Sequence, residues 1–319
     1  MGQLVNGVWQ METPVGRSKN GSFVRADTQF HDQITVDGGS GFKAEKGRYH
    51  LYTSLACPWA HRTLIYRHLK GLEDVISISV VDPFMADEGW AFGDSEGCIV
   101  DPLFGAGHMH EIYTQARNDY SGRVTVPVLW DRETGTIVNN ESAEIIRMFN
   151  SEFTTLVPET PDYFPLELQV EINAINERVY NDINNGVYRN GFASTQQAYE
   201  EAFDKLFAAL DWVEERLHRR RYLCGAQLTE ADWRLFPTLL RFDCVYFGHF
   251  KCNLRRIEDY PCLSNYLREL YQISGIAELC NFRHIKEHYY RSHKSINPTH
   301  IVPRGPEINL NQPHDRDRL

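Results

Sequence analysis

The sequence predicts an α/β domain followed by an all-α domain. Three observations carry that expectation. Between residues 48 and 149, short β-branched or aromatic runs alternate with helix-like runs. Beyond a proline-containing linker, Val157-Pro158 to Phe164-Pro165, apolar residues recur at helical spacing only. The chain has 319 residues, enough for two domains with a substantial core.

The elements follow in order. Residues 1 to about 46 are rich in Gly, Ser, Asp and Gln and weakly periodic, so 1–46 reads as a loosely structured extension. Arg48 to Thr53 reads as a strand. Pro58 to Lys70 reads as a helix, with Leu64, Ile65, His68 and Leu69 near one face. Val75 to Val81 is a β-branched run suited to a central strand. Asp82 to Gly122 carries scattered Gly and Pro, and reads as an insertion with one helix near His110–Ala116. Val124 to Trp130 and Thr136 to Val138 read as a hairpin around Asp131-Arg132-Glu133-Thr134-Gly135. Glu141 to Phe149 closes the domain as a helix. Strand, helix, strand, helix, strand, strand, helix is the order of a thioredoxin-like domain, expected over 47–152.

The second half changes texture. Leu166 to Asn185 reads as helical. So does Gln196 to Arg220, where Ala202, Leu206, Ala209, Leu210, Val213 and Leu217 form a stripe at 3.6 spacing. Thr229 and Asp232 have the spacing of a capping pair and open a helix through about Leu240. Further helices are expected from Leu263 to Tyr271 and from Ile276 to Tyr290. The helical domain is expected over 165–294 and a proline-containing tail over 295–319.

Composition excludes several classes. The net charge is -10, which argues against a general nucleic-acid binder or an anionic-membrane binder. The seven cysteines are irregularly spaced and imply no disulfide framework, which fits a reducing compartment. The start Met1-Gly2-Gln3-Leu4-Val5-Asn6 lacks a basic-then-apolar signal pattern. No apolar run approaches the roughly 20 residues that span a bilayer. A cytoplasmic protein is expected.

Cys57 carries the chemistry. It lies in Cys57-Pro58-Trp59-Ala60-His61-Arg62, after a strand and at the start of a helix. A helix N-terminus offers unpaired N–H groups and partial positive charge, both of which stabilise a thiolate. A cysteine so placed can titrate at about 3.5–7.5 instead of about 8.5. Pro58 suits the first helical position, where its missing donor costs nothing. The redox form of this motif has a second cysteine where Ala60 stands. A mixed disulfide on Cys57 must therefore be opened by an outside thiol. The pattern suggests a monothiol enzyme that works with a small thiol such as glutathione. Cys98, Cys224, Cys244, Cys252, Cys262 and Cys280 show no Cys-x-x-Cys pairing and read as structural.

Two other patterns bear on function. Glu141-Ser142 opens a helix, where free N–H groups bind carboxylates, Ser142 adds a donor and Glu141 can pair with an ammonium. An ordinary acidic first turn fits those residues equally well. His284 and His288 share a helix face, a spacing that can suit a metal. With no HExxH arrangement and no evident third ligand, no metal site is expected.

Five stretches together resemble one family. They are Ala56-Cys57-Pro58-Trp59-Ala60-His61-Arg62, Gly122-Arg123-Val124-Thr125-Val126-Pro127-Val128-Leu129-Trp130-Asp131, Asn140-Glu141-Ser142-Ala143-Glu144-Ile145-Ile146, Asn184-Asn185-Gly186-Val187-Tyr188 and His288-Tyr289-Tyr290-Arg291-Ser292-His293. In order over nearly the whole chain, they resemble the glutathionyl-hydroquinone reductases, the xi class of glutathione transferases. One departure lies in the insertion, where Ala116-Arg117-Asn118 stands in place of the family's frequent Ala-Asp-Pro.

The resemblance implies a thioredoxin-like domain followed by an all-α glutathione-transferase domain. It implies a cis Val126-Pro127 bond facing Cys57, with the Val126 backbone pairing with the cysteinyl part of glutathione. It turns Glu141 and Ser142 into contacts for the γ-glutamyl end, and makes Trp90 and Arg123 further glutathione contacts. Val124 and Thr125 join that site as strand residues rather than through their side chains. Tyr188 matches the family's proton donor and acceptor, while Tyr246 and Tyr289 match tyrosines that favour the thiolate by hydrogen bonding. The implied activity is reduction of glutathionyl-hydroquinones through a Cys57–glutathione mixed disulfide. The expected partners are glutathione and aromatic glutathione conjugates, in a homodimer with no metal. An omega-like thioltransferase or dehydroascorbate reductase, and a non-catalytic assembly module of the same fold, are the alternatives.

Overall fold

A computed structural model describes residues 2–11 and 16–319. The N-terminal segment is more ordered than expected. Strand β1 (Gln3–Val5) pairs antiparallel with β2 (Val8–Gln10). The turn between them is Asn6-Gly7, both at positive φ, the residue pair that such a tight hairpin favours. Strand β3 (Ile34–Thr35) pairs parallel with β4 (Phe42–Lys43). Leu4, Phe30 and Ile34 are buried, and that burial is what orders a segment with weak periodicity.

A four-stranded sheet follows. Its strands are β5 (Tyr49–Thr53), β6 (Ser77–Val80), β7 (Val128–Asp131) and β8 (Thr136–Asn139), in the order β6-β5-β7-β8. β6, expected from its β-branched run to be central, is instead an edge strand, parallel to β5, while β7 runs antiparallel to β5 and to β8. Helices α1 (Pro58–Leu69), α2 (Met109–Ala116) and α3 (Ser142–Ser151) accompany it, and α1 packs on α3. β7 starts at Val128 rather than at the expected Val124, because Pro127 has no N–H to give a ladder. The Val126-Pro127 bond is cis, as expected.

Buried polar groups in this sheet are matched. His50, at the centre of β5, sits 2.7 Å from Ser77 Oγ and 2.9 Å from Ser79 Oγ. Burial, with Arg132 adding to it, pushes His50 down to about 4, so the ring is neutral at pH 7. Arg48 donates from Nε and Nη2 to the two carboxylate oxygens of Asp131, each at 2.8 Å, and pins the start of the β7–β8 turn.

The chain continues through α4 (Gln169–Arg178), α5 (Gly186–Phe192), α6 (Gln196–Arg219), α7 (Glu230–Arg241), the single turn α8 (Phe247–His249), α9 (Pro261–Gln272) and α10 (Phe282–Ser292). The expected stripe on α6 is buried along its length. Thr229 and Asp232 form the expected capping box of α7, with Asp232 Oδ2 accepting from the Thr229 N–H at 2.8 Å.

The structure refines the expected helical run Leu166–Asn185 and the tail, and corrects the start of the last helix. Leu166–Asn185 is a 3₁₀ turn, then α4, then a π-helical stretch Val179–Asn184. The last helix starts at Phe282 instead of Ile276, because Asn281 Oδ1 accepts from the His284 N–H at 2.9 Å and caps it there. The C-terminal tail is anchored: Arg316 is fully buried and donates to the backbone carbonyls of Leu217, Arg220 and Arg221.

The chain forms two compact units. The first takes in the N-terminal strands, Ala26–Pro161 and Asn281–Ser292. The second takes in residues 16–25, Asp162–Cys280 and His293–Leu319. Among the described residues, no helix is long and apolar enough to cross a membrane.

Candidate active site

In the first unit, β5 delivers the chain to Cys57, which is the N-cap residue of α1 with extended backbone (φ -75°, ψ 124°). Pro58 is the first helical residue, as its fixed φ and missing N–H favour. Cys57 is 8% exposed, and its Sγ lies 3.6 Å from the carbonyl oxygen of Val126. The pairing of Tyr52 with Val128 on adjacent strands brings the two loops together. No disulfide joins any of the seven cysteines.

A second helix start lies in the same unit. Glu141 is the N-cap of α3, and its carboxylate accepts from the Ala143 N–H at 3.1 Å. Buried Ser142 donates its hydroxyl to Glu141 Oε1 at 3.4 Å. Arg62, on α1 and buried, donates from Nη1 to Ser142 Oγ at 3.4 Å and lies 4.7 Å over the Trp59 ring. A guanidinium is thereby fixed beside the N-terminus of α3, five residues beyond Cys57 in the same motif. Arg62 lies within the Cys57 motif, but no sequence signal marks this role.

Tyr113 was also missed. Its hydroxyl donates to the Thr125 carbonyl at 3.0 Å and accepts from Asn140 Nδ2 at 3.0 Å. This buried phenol spaces the Thr125-Val126 segment from the segment entering α3. Burial pushes its pKa up, so it stays a neutral donor. One tyrosine on a helix inside an insertion gave no sequence signal for this.

Val124 is buried at the edge of this segment. Arg123 Nη1 donates to the Gly2 carbonyl at 3.4 Å, and partial burial lowers the Arg123 pKa. Trp90 is buried in the insertion and stacks flat on His288 of α10, with centroids 4.7 Å apart and planes 15° apart. Tyr289 follows on α10, buried, its ring edge-on to His288 at 5.1 Å.

Tyr188 and Tyr246 belong to the second unit. Each is set by a π-helical stretch: Tyr188 lies on α5 just after Val179–Asn184, and Tyr246 ends the stretch Phe242–Tyr246. Such wide turns rotate the helix face and recur at functional sites. Asn184 joins the two helical runs, its Nδ2 donating to Thr238 Oγ1 at 2.8 Å. The rings of Tyr188 and Tyr246 lie 6.2 Å apart, and Phe250 packs against both at 5.5 Å. Gly191 makes room for Phe250, since a Cβ there would come 2.1 Å from its Cδ1. Arg25 lies 4.7 Å over the Tyr188 ring, fixed by its Nε donating to Asn185 Oδ1 at 2.7 Å. Nothing local in the sequence linked Arg25 to Tyr188.

Among the described residues, no group of three or more His, Cys, Asp or Glu side chains could hold a metal ion. His284 and His288 are instead engaged with backbone carbonyls of the insertion.

The chain matches the family Glutathione S-transferase, N-terminal domain, over residues 56–152, and Glutathione S-transferase, C-terminal domain, over residues 196–269. It is 53% identical to Glutathionyl-hydroquinone reductase YqjG of Escherichia coli strain K12, across 99% of each chain. Its structure is similar to the glutathione-bound structure of YqjG, with TM-score 0.92 and 52% identity over 99% of both chains. It is similar as well to the xi-class glutathione transferase of Natrialba magadii, with TM-score 0.94, 48% identity and coverage of 100% of this chain and 97% of that one.

Proposed function

This chain belongs to the glutathionyl-hydroquinone reductases, the xi class of glutathione transferases, and on that premise we propose that Cys57 carries its chemistry. The activity is glutathione-dependent reduction of glutathionyl-hydroquinones to hydroquinones, with glutathione as co-substrate. The observation that carries the assignment is the placement of Cys57 at the N-cap of α1 beside Val126, with Ala60 where a second thiol would stand.

In the first half-reaction, the Cys57 thiolate attacks the sulfur that joins glutathione to the aromatic ring. A sulfur–sulfur bond forms and the carbon–sulfur bond breaks, its electron pair staying on the ring carbon. That carbon is reduced by two electrons and takes a proton, which we assign to Tyr188. In the second half-reaction, a second glutathione thiolate attacks the glutathione sulfur of the mixed disulfide. Oxidised glutathione leaves and the Cys57 thiolate returns. The proton that this glutathione gives up balances the one delivered by Tyr188.

The remaining roles follow the chemistry of each group. The Val126 backbone pairs with the cysteinyl part of glutathione, with Val124 and Thr125 setting that edge. The free N–H groups of α3 and the Ser142 hydroxyl take the γ-glutamyl carboxylate, Glu141 takes its ammonium, and Arg123 takes the other carboxylate. Trp90 covers the bound tripeptide. Tyr246 and Tyr289 donate hydrogen bonds to the thiolate. The proposal extends to aromatic glutathione conjugates as substrates, to a homodimer in solution and to a cytosolic setting.

The test compares initial rates, at equal enzyme and glutathione, on a glutathionyl-hydroquinone and on a small glutathione mixed disulfide. Faster turnover of the aromatic conjugate supports the assignment. A mixed disulfide turned over faster by orders of magnitude would make the enzyme a thioltransferase.

A further inference from the structure

Helix α10 holds the insertion through one face. His284, His288 and Ser292 are spaced four apart, so their side chains line one side of the helix. His284 Nε2 donates to the Glu96 carbonyl at 2.8 Å. His288 Nδ1 donates to the Pro83 carbonyl at 2.9 Å. Ser292 Oγ accepts from the Met85 N–H at 3.0 Å. Two further features widen the grip: Arg291 lies 4.5 Å over the Phe84 ring, and Gly97, at φ +88°, leaves room for the His284 ring, whose Nε2 would lie 3.1 Å from a Cβ there. The clamped segment carries Trp90, whose own carbonyl accepts from Met109 at the start of α2 at 2.8 Å.

His288 stands out among these anchors. Its bond to Pro83 fixes the ring orientation, and its flat face lies on the Trp90 indole. The loop backbone alone leaves an indole free to choose among rotamers. A second ring, itself pinned at Nδ1, selects one. The next residue on α10 is Tyr289, so one helix aligns a tyrosine of the proposed site and the ring that orients Trp90.

We propose that His288 is a positioning residue for glutathione, acting through Trp90, with His284 and Ser292 setting the loop on which Trp90 stands. This rests on the assignment of Trp90 as a glutathione contact. The proposal places a specificity element for the tripeptide on a helix some 200 residues away in sequence, as the spacings of 205 and 207 residues for the His288 and Ser292 bonds record.

The test is a double-mutant cycle on glutathione affinity, measured by calorimetry on reduced full-length protein. His288→Ala is expected to weaken affinity about three- to tenfold in the otherwise wild-type chain, the range of a lost aromatic pair. In a Trp90→Ala background the same substitution is expected to change affinity by less than about twofold, because its effect runs through the indole. His288→Asn keeps a donor near the Nδ1 position and serves in the same cycle if the alanine variant folds poorly. Equal losses in both backgrounds, or no loss in the wild-type chain, overturn the proposal while leaving Trp90 as a contact. An unchanged affinity in Trp90→Ala alone overturns the assignment of Trp90, and the positioning role with it.

Discussion

The sulfur of Cys57 stands 3.6 Å from the backbone carbonyl oxygen of Val126, across 69 residues of chain. The sheet makes that meeting. β5 ends four residues before Cys57, β7 begins two residues after Val126, and the two strands are antiparallel neighbours. The proposed nucleophile and an extended backbone edge are thus presented together, which is what a cysteinyl peptide needs in order to be held and attacked.

Glu141 has two jobs that a single substitution separates. Its carboxylate caps α3 by accepting from the Ala143 N–H, and its charge is proposed to meet the glutathione ammonium. Glu141→Gln keeps an acceptor and removes the charge. Glutathione affinity is expected to fall about ten- to hundredfold, the worth of a charged hydrogen bond. Folding stability is expected to stay within about 1 kcal/mol of wild type. Calorimetric titration and urea unfolding check the two halves, and a large stability loss with unchanged affinity would reduce Glu141 to a cap.

His50 gives the protein a pH-dependent stability. The unfolded ring takes up a proton near pH 6.5, whereas burial holds the folded one down to about 4. Between those values the unfolded chain binds more protons, so stability falls as pH drops from about 6.5 towards 4 and the loss levels off below that. The loss from this group is roughly 3 kcal/mol in full. His50→Gln can still bond Ser77 or Ser79 and does not titrate. Urea unfolding at pH 7 and 4.5 is expected to show a drop about 2 kcal/mol smaller in the variant. Equal drops would place the acid sensitivity elsewhere.

Arg316 ties the tail to the end of α6. Its guanidinium serves the carbonyls of Leu217, Arg220 and Arg221, and its Nε lies 3.8 Å from Glu269 Oε2. The last carbonyls of a helix have no intrahelical partner, so these bonds close an open end. Arg316→Ala is expected to cost about 2–4 kcal/mol, because it leaves buried acceptors and a buried carboxylate less well paired. Arg316→Lys is expected to recover little, since one ammonium lacks the planar fork. Denaturant midpoints for both variants decide it, and wild-type stability in Arg316→Ala would mean that the tail contributes nothing to the fold.

Local signals made part of this molecule legible in its sequence. A buried strand, then Cys57-Pro58, then a helical run places the cysteine at a helix N-cap without tertiary information. Periodicity located α6 for the same reason, and Thr229 with Asp232 located the start of α7. The hairpin at Asn6-Gly7 was equally legible, yet the polar composition around it read as a loose extension. Partnerships over long sequence separation were not legible. Arg25 over Tyr188, Arg316 under α6 and the α10 face on the insertion join residues 95 to 207 positions apart, and no periodicity encodes them. The π-helical stretches were invisible too, because side-chain ties such as Asn184 to Thr238 accompany them rather than any local preference. Tyr188, Tyr246 and Tyr289 stood among sixteen tyrosines and were marked only by family resemblance.

The central claim is that Cys57 takes glutathione from the aromatic ring onto its own sulfur. Single-turnover reaction of the reduced protein with a glutathionyl-hydroquinone, read by intact mass, tests it most directly. The expected result is one glutathione adduct that maps to Cys57, forms as hydroquinone appears, clears on addition of glutathione and is absent in Cys57→Ser. Release of hydroquinone with no adduct on the wild-type protein, or an adduct that persists in Cys57→Ser, would contradict it.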